Sequence, residues 1–101
     1  MRMLMIVHCP NEPFSTYIRD GSASEKMGRI LAANKPEAAY FTEHEGERSG
    51  FLIVNLDGPS GVPALAEPWF LTFDATVELR ICMTGEDLAK ADLAGLGKQW
   101  G

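Results

Sequence analysis

The stretch Glu37–Leu56, EAAYFTEHEGERSGFLIVNL, decides the fold of this chain. Two runs rich in aromatic and β-branched residues, Glu37–Glu45 and Phe51–Leu56, flank the segment EGERSG at positions 45–50. Such runs form strands, and a short glycine-containing connection between them is typical of a β-hairpin. The stretch therefore predicts two adjacent antiparallel strands in the middle of the chain.

Two further strands are predicted on either side of this hairpin. Met3–Cys9 is a continuous apolar run that ends at Pro10, which is typical of a buried strand. Thr76–Met83 alternates apolar and polar residues, which favours a strand with one buried face. The chain is thus expected to form one sheet of four strands.

Helices are predicted in the connections between these strands. Residues 11–35 carry apolar residues at helical spacing, with a break or kink near Gly21 and a capping-box pattern from Ser22 to Glu25. One continuous helical face, interrupted or kinked at Pro68, comprises Val62, Leu65, Ala66, Trp69, Phe70 and Phe73.

A short C-terminal helix follows the fourth strand. Thr84 is its predicted N-cap, with Asp87 three residues further on. Gly95 and Gly97 are expected to end this helix, which leaves Trp100 in a short tail.

The element order β-α-β-β-α-β with a terminal helix predicts an α+β, ferredoxin-like sandwich. A four-stranded antiparallel sheet of this type has the order 4-1-3-2, and both helices lie on one of its faces. Since 101 residues leave no room for two cores, residues 1–101 are expected to form a single domain.

Strand alternation assigns the side chains to two faces of this sheet. The helices should cover Met3, Met5, Val7, Cys9, Leu52, Val54, Leu56, Val77, Leu79 and Ile81. The uncovered face, called the open face below, should carry Leu4, Ile6, His8, Phe51, Ile53, Asn55, Glu78, Arg80 and Cys82. This face is too apolar to remain in water, so a homodimer that pairs sheet against sheet, with a small cavity between the sheets, is expected.

At this point the chain resembles the dimeric α/β-barrel superfamily, which includes cofactor-independent monooxygenases and muconolactone isomerases. It is most similar to small uncharacterised bacterial members of that group. The resemblance covers the second half of the chain best and implies a homodimer with a ligand cavity, without a catalytic set that could be transferred. The segments that carry it are Lys35–Glu43, Gly50–Asn55, Ala66–Leu71, Val77–Glu78, Met83–Thr84 and Glu86–Leu88.

His8 and Glu78 are the candidate catalytic residues. In the 4-1-3-2 order, the end of the first strand lies beside the start of the fourth, which places His8 opposite or diagonal to Glu78 on the open face. A carboxylate that orients an imidazole is a suitable general base near neutral pH. The alternative is a polar pair that only stabilises a dimer interface.

Tyr40, Phe51, Asn55 and Arg80 are the candidate ligand-binding residues on the same face. Arg80 could hold an anionic substrate, because a guanidinium matches the geometry of a carboxylate. A salt bridge between Arg80 and Glu78 is the competing interpretation. Asn55 could contact a ligand or, as a residue at a strand end, bond to a loop.

No metal or cofactor is predicted. His44 lies among Glu43, Glu45 and Glu47, but strand alternation divides this cluster between the two faces. His8 and His44 should lie about two strand spacings apart, roughly 10 Å, which is too far for them to share one metal ion within a subunit.

Composition excludes several classes of function. Nine basic against fourteen acidic residues give a net charge of −5, which argues against binding to nucleic acid or an anionic membrane. The apolar run Met3–Val7 is too short for a secretory signal or a membrane span, and Cys9 and Cys82 form no cysteine motif. A cytoplasmic protein is therefore expected.

Two hypotheses about function remain open. In the first, the homodimer binds a small, partly apolar molecule between its sheets and acts as a cofactor-independent enzyme of the monooxygenase or isomerase type, with His8, Glu78, Arg80 and Tyr40 as polar lining. In the second, the dimer is structural or senses a ligand, and these residues only fix the interface.

Overall fold

A computed structural model describes all residues, 1–101, as a mixed α+β fold. One antiparallel sheet carries three longer helices on one face and continues into two C-terminal helices. In chain order the elements are β1 (Arg2–Cys9), α1 (Asn11–Asp20), α2 (Ala23–Asn34), β2 (Ala38–His44), β3 (Glu47–Asn55), a 3-10 turn (Pro59–Gly61), α3 (Val62–Phe73), β4 (Thr76–Ile81), α4 (Gly85–Ala89) and α5 (Leu93–Trp100).

The strand order β2-β3-β1-β4 is the predicted order 4-1-3-2 read from the other edge. Strand β1 occupies the centre, where Ile6 lies between Phe51 of β3 and Glu78 of β4. His8 lies between Ser49 and Thr76 in the same way. The ferredoxin-like topology predicted from the element order is confirmed.

The two faces of the sheet differ as strand alternation predicts. Along β1 every second residue is buried under the helices, beginning with Met3, whereas Leu4, Ile6 and His8 are only half-buried on the open face. Helices α1, α2 and α3 cover the other face, where the stack of Phe14 on Phe73 has a centroid separation of 4.5 Å. The core comprises Met3, Met5, Val7, Cys9, Ile30, Leu52, Val54, Leu56, Leu65, Trp69, Phe73 and Ala75.

The helical connections agree in part with their predictions. The break near Gly21 is confirmed, because Gly21 adopts φ 82° between α1 and α2, a conformation that glycine takes at no steric cost. The predicted capping box at Ser22 does not form, since the Ser22 hydroxyl has no partner. Helix α3 runs from Val62 to Phe73 with Pro68 inside it, so the proline does not split the helix that carries the continuous apolar face.

The C-terminal region differs from its prediction. Thr84 and Asp87 form the expected capping box, but Gly95 lies inside a second helix, α5, and does not end the first. Asp92 caps α5 by accepting from the backbone N–H of Gly95, at 3.2 Å. A Cβ at position 95 would collide with that carboxylate, so glycine allows this cap to close. Ile81, which was expected under the helices, is 69% exposed at the end of β4.

Candidate functional site

A hydrogen bond to Ser49 fixes the imidazole of His8 on the open face. Ser49 is its neighbour on β3, and the Ser49 hydroxyl lies 3.1 Å from Nδ1 of His8. The same hydroxyl donates to the carbonyl of Glu47, also at 3.1 Å. When the single proton of this hydroxyl points to the Glu47 carbonyl, the Ser49 oxygen can only accept from Nδ1 of His8, and Nε2 is then the unprotonated nitrogen of the neutral ring.

Glu78 lies diagonal to His8, as the sequence predicts, but its carboxylate contacts another residue. Its Oε2 accepts from Nη2 of Arg80 at 3.1 Å, and both side chains are more than half exposed. Residues two apart on one strand face the same side, so Arg80 can reach Glu78 within β4 itself. The structure therefore shows the Glu78–Arg80 salt bridge, and it does not bring Glu78 to the imidazole of His8.

The predicted separation of His8 and His44 is wrong. Their ring centroids are 5.2 Å apart, although their strands are separated by β3. The estimate of two strand spacings applies to backbones, whereas the two side chains approach each other across β3. The ring of His44 also packs edge-on against the ring of Phe51, with a centroid separation of 5.9 Å. One polar and aromatic cluster thus comprises His8, His44, Ser49 and Phe51.

Of the other predicted ligand-binding residues, Tyr40 lies beside this cluster and Asn55 lies apart from it. Tyr40 faces the open side of β2 opposite Phe51 and is 71% exposed. Asn55 accepts from the N-terminal amine of Met1 and donates to Asp57, at 2.9 and 2.8 Å. Asn55 therefore joins the end of β3 to the N-terminus and the following loop.

A cavity that the sequence did not predict lies on the helix side of the sheet. Its volume is about 370 Å³, within the range of small-molecule sites. It lies between the edge strand β2 and the helices, where Phe41 of β2 remains half exposed. Its lining comprises Cys9, Phe14, Met27, Phe41, Thr42, Arg48, Ser49, Gly50 and Trp69.

Gly50 lines this cavity without a side chain. It is buried on β3 opposite Phe41, and a Cβ at position 50 would lie 3.2 Å from atoms of Phe41 and Leu52. Any side chain there would therefore press against the aromatic ring or grow into the cavity. A glycine inside a strand marks a close approach of this kind, and it is the signal in the sequence that could have revealed the cavity.

Arg48 is the only charged residue that lines the cavity. Its guanidinium lies 5.0 Å from the ring centroid of Phe14 and donates from Nη1 to Ser15 at 3.1 Å and more weakly to the carbonyl of Asn11 at 3.5 Å. It forms no salt bridge with a carboxylate of the chain. A guanidinium has five N–H donors, so Arg48 keeps several for an anionic group at the cavity mouth.

Cys9 contributes a neutral wall to the cavity. Burial raises the pKa of its thiol to about 11, and the positive charge of Arg48 offsets only part of that rise. A thiol that holds its proton to such high pH is a poor nucleophile. Cys9 therefore serves this site as a small apolar surface.

No family model matches the chain, and no curated protein matches it. None of the helices combines the length and the apolar composition needed to cross a bilayer. The proposals below accordingly rest on the geometry of the chain's own residues.

Proposed function

We propose that this protein binds a small, partly apolar molecule that carries a carboxylate. The helix-side cavity is the observation that supports this most directly, because it is lined mainly by apolar residues and has a single cation, Arg48, at its mouth. An apolar body would fill the space beside Phe14, Met27 and Trp69. The acid group would pair with the free donors of Arg48, since a guanidinium and a carboxylate form strong charge-assisted hydrogen bonds.

Trp69 provides a direct test of this proposal. It lines the cavity, and since it is only 1% exposed, its indole is shielded from bulk solvent. In a Trp100→Phe background Trp69 is the sole tryptophan, and 4-bromobenzoate serves as an anionic probe whose bromine quenches fluorescence on contact. We expect saturable quenching of Trp69, because the probe occupies a defined site.

Arg48→Met should weaken that binding about tenfold to a hundredfold, which corresponds to the loss of one charge-assisted hydrogen bond. The neutral analogue 4-bromobenzyl alcohol should bind both proteins equally. Arg29→Met is the matched control, because it removes a surface cation of α2 outside this cavity. The proposal would be refuted if quenching rises linearly with probe concentration without saturation. It would also be refuted if quenching is the same for the charged and the neutral probe and the same in the wild-type protein and in Arg48→Met.

The open face supports a second candidate function, which concerns proton transfer. We propose that two copies pair through their open faces as a homodimer of the dimeric α/β-barrel kind, and that Nε2 of His8 acts there as a general base toward an aromatic or keto compound. The hydrogen bond from His8 to Ser49 favours this role, because it orients the ring and leaves Nε2 without a partner in the chain. Tyr40, Phe51 and Arg80 would lie around the substrate, with Arg80 near its anionic group.

Proton exchange tests this second candidate. The base would remove a proton from the carbon beside the carbonyl of phenylpyruvate and return a deuteron from D2O, so that no other reactant is consumed. We expect faster incorporation of deuterium than in buffer alone and loss of that acceleration in His8→Ala. Exchange at the buffer rate in the wild-type protein would instead support a non-enzymatic dimer, which is the role that the Glu78–Arg80 salt bridge favours.

A further inference from the structure

The chain has only two histidines, and the fold brings them together. His8 lies on the central strand β1 and His44 at the end of the edge strand β2, with β3 between them. Their ring centroids are nevertheless 5.2 Å apart, and the planes of the rings are tilted by 35°. A metal ion shared by these two rings, which a separation of two strand spacings would exclude, is therefore compatible with the fold.

The separation of the rings matches that of two imidazoles on one tetrahedral metal ion. A zinc ion lies about 2.0–2.1 Å from each imidazole nitrogen, so the centroids of two rings bound at a tetrahedral angle are about 5.2 Å apart. The rings of His8 and His44 have this separation. Binding of one ion by both would therefore require no change in the spacing of the strands.

The hydrogen bond between His8 and Ser49 is typical of a metal-binding histidine. Such a histidine almost always donates from its second ring nitrogen to a fixed acceptor, which sets the tautomer and the orientation of the ring. Nδ1 of His8 lies 3.1 Å from the Ser49 hydroxyl, which itself bonds to the carbonyl of Glu47. Nε2 of His8 has no partner in the chain, so its lone pair is available to a metal ion.

Negative charge lies beside the two rings. Glu47 is directly opposite His44 on β3 and faces the same side of the sheet, and Oε1 of Glu45 lies 3.9 Å from Nε2 of His44. No lysine or arginine forms a salt bridge with either carboxylate, and Arg80 on the same face is paired with Glu78. These carboxylates favour a cation at this end of the open face.

We propose that Nε2 of His8 and the ring of His44 bind one divalent transition-metal ion of the zinc type. Imidazole suits zinc, copper and nickel, whereas Mg²⁺ and Ca²⁺ prefer oxygen ligands. No three histidine, cysteine, aspartate or glutamate side chains are arranged as a metal site, so the chain supplies two ligands and water fills the other positions. The ion would thus differ from structural zinc, whose four positions are all filled by protein ligands.

This site goes beyond the functions proposed above and depends on neither the dimer nor the helix-side cavity. Both ligands come from one chain, so a monomer suffices to bind the ion. The ion would use the same lone pair of Nε2 that a general base needs. The open face would therefore bind a metal ion or transfer protons, but His8 would not do both at once.

Isothermal titration calorimetry of the untagged, full-length protein with Zn²⁺ tests the proposal. We expect one ion per chain and no binding of Mg²⁺ over the same range of concentration. His8→Gln and His44→Gln should each lower the affinity for Zn²⁺ at least about tenfold, because loss of a mere hydrogen-bond partner of a ligand already costs about tenfold to a hundredfold. Glu43→Gln is the matched control, since Glu43 precedes His44 on the same exposed strand but faces the other side, and it should leave the affinity unchanged.

Long-range ¹H–¹⁵N correlation spectra identify the nitrogen that binds. Zn²⁺ should shift Nε2 of His8 and leave Nδ1 protonated, and this shift should be lost in His44→Gln at the same Zn²⁺ concentration. Neither histidine belongs to the core, and His44→Gln on the edge strand provides the test even if His8→Gln disturbs the sheet.

Three results would each overturn the proposed metal site. The first is a wild-type protein that shows no saturable binding of Zn²⁺. The second is an affinity that is unchanged in His44→Gln, which would place the ion elsewhere. The third is a stoichiometry of one ion per two chains, which would mean that the ligands come from different copies.

Discussion

The indole of Trp69 donates a 2.8 Å hydrogen bond to the side-chain oxygen of Asn34. Both residues are almost completely buried, and the amide nitrogen of Asn34 donates in turn to the carbonyl of Leu65 at 3.3 Å. This buried pair joins the last turn of α2 to the middle of α3. It thereby fixes the wall of the helix-side cavity that Trp69 lines.

Replacing Asn34 with leucine should destabilise the protein. The change keeps the number and branching of the side-chain heavy atoms but leaves the indole N–H of Trp69 buried without a partner, at a cost of about 1–3 kcal/mol. Chemical denaturation of Asn34→Leu and Trp69→Phe, alone and combined, measures the coupling between the two side chains. A cost of Asn34→Leu that is the same in both backgrounds would mean that this hydrogen bond contributes nothing.

The neutral thiol of Cys9 should make stability fall at alkaline pH. The unfolded thiol releases its proton near its ordinary pKa of 9.0, whereas burial holds the pKa of the folded thiol at about 11. Since the folded state alone keeps the proton, its advantage is complete below pH 9 and is lost as pH rises through about 11. The loss amounts to roughly 2–3 kcal/mol by linkage.

Denaturation curves between pH 8 and 11 measure this effect as the difference between the wild-type protein and Cys9→Ala. Subtracting the two removes the contribution of lysines and tyrosines that titrate in the same range. Cys82→Ala is the control, because Cys82 lies outside the core, and it should follow the wild-type curve. The prediction would be contradicted if the free energy of unfolding changes with pH in the same way in the wild-type protein and in Cys9→Ala.

Filling the space above Gly50 should close the helix-side cavity. In Gly50→Val the side chain would meet Phe41 and Leu52 and occupy part of the lining, so binding of 4-bromobenzoate should weaken about tenfold or more. The crowding should also cost about 1–3 kcal/mol of stability. Gly58→Val is the matched control, because a Cβ at Gly58 meets nothing within 4 Å. Full quenching of Trp69 in Gly50→Val would show that the probe binds elsewhere.

Much of the fold could be predicted from the sequence because each strand has its own local signal. The alternation in Thr76–Met83 and the hairpin pattern in Glu37–Leu56 predict strands independently, and the order of elements then leaves one common topology. Even the two faces of β1 were assigned correctly. The end of the chain was harder, since Gly95 lowers helix propensity while Asp92 supplies a cap that alternation and periodicity do not reveal.

The candidate site was less accessible to sequence reasoning, because it depends on how side chains lean. Strand order predicts the position of Glu78 correctly. Whether its carboxylate bonds to His8 or to Arg80, however, depends on local geometry within β4. The approach of His8 to His44 depends on side-chain orientations that strand order does not determine. The cavity beside Gly50 lies on the face that alternation assigns to the core, where sequence reasoning expects close packing.

The tautomer of His8 is the feature on which its proposed role as a base depends. Ser49 donates its one proton to the Glu47 carbonyl, so neutral His8 should carry its proton on Nδ1, with Nε2 unprotonated. Long-range ¹H–¹⁵N correlation spectra at alkaline pH distinguish the two ring nitrogens directly.

Ser49→Ala should shift the population toward the Nε2–H form, because it removes the acceptor that holds the Nδ1 proton. Thr76→Ala changes the neighbour of His8 on the other strand, which makes no hydrogen bond to the ring, and should leave the spectrum unchanged. A wild-type spectrum dominated by Nε2–H would remove the free basic nitrogen, and with it the case for His8 as a general base on the open face.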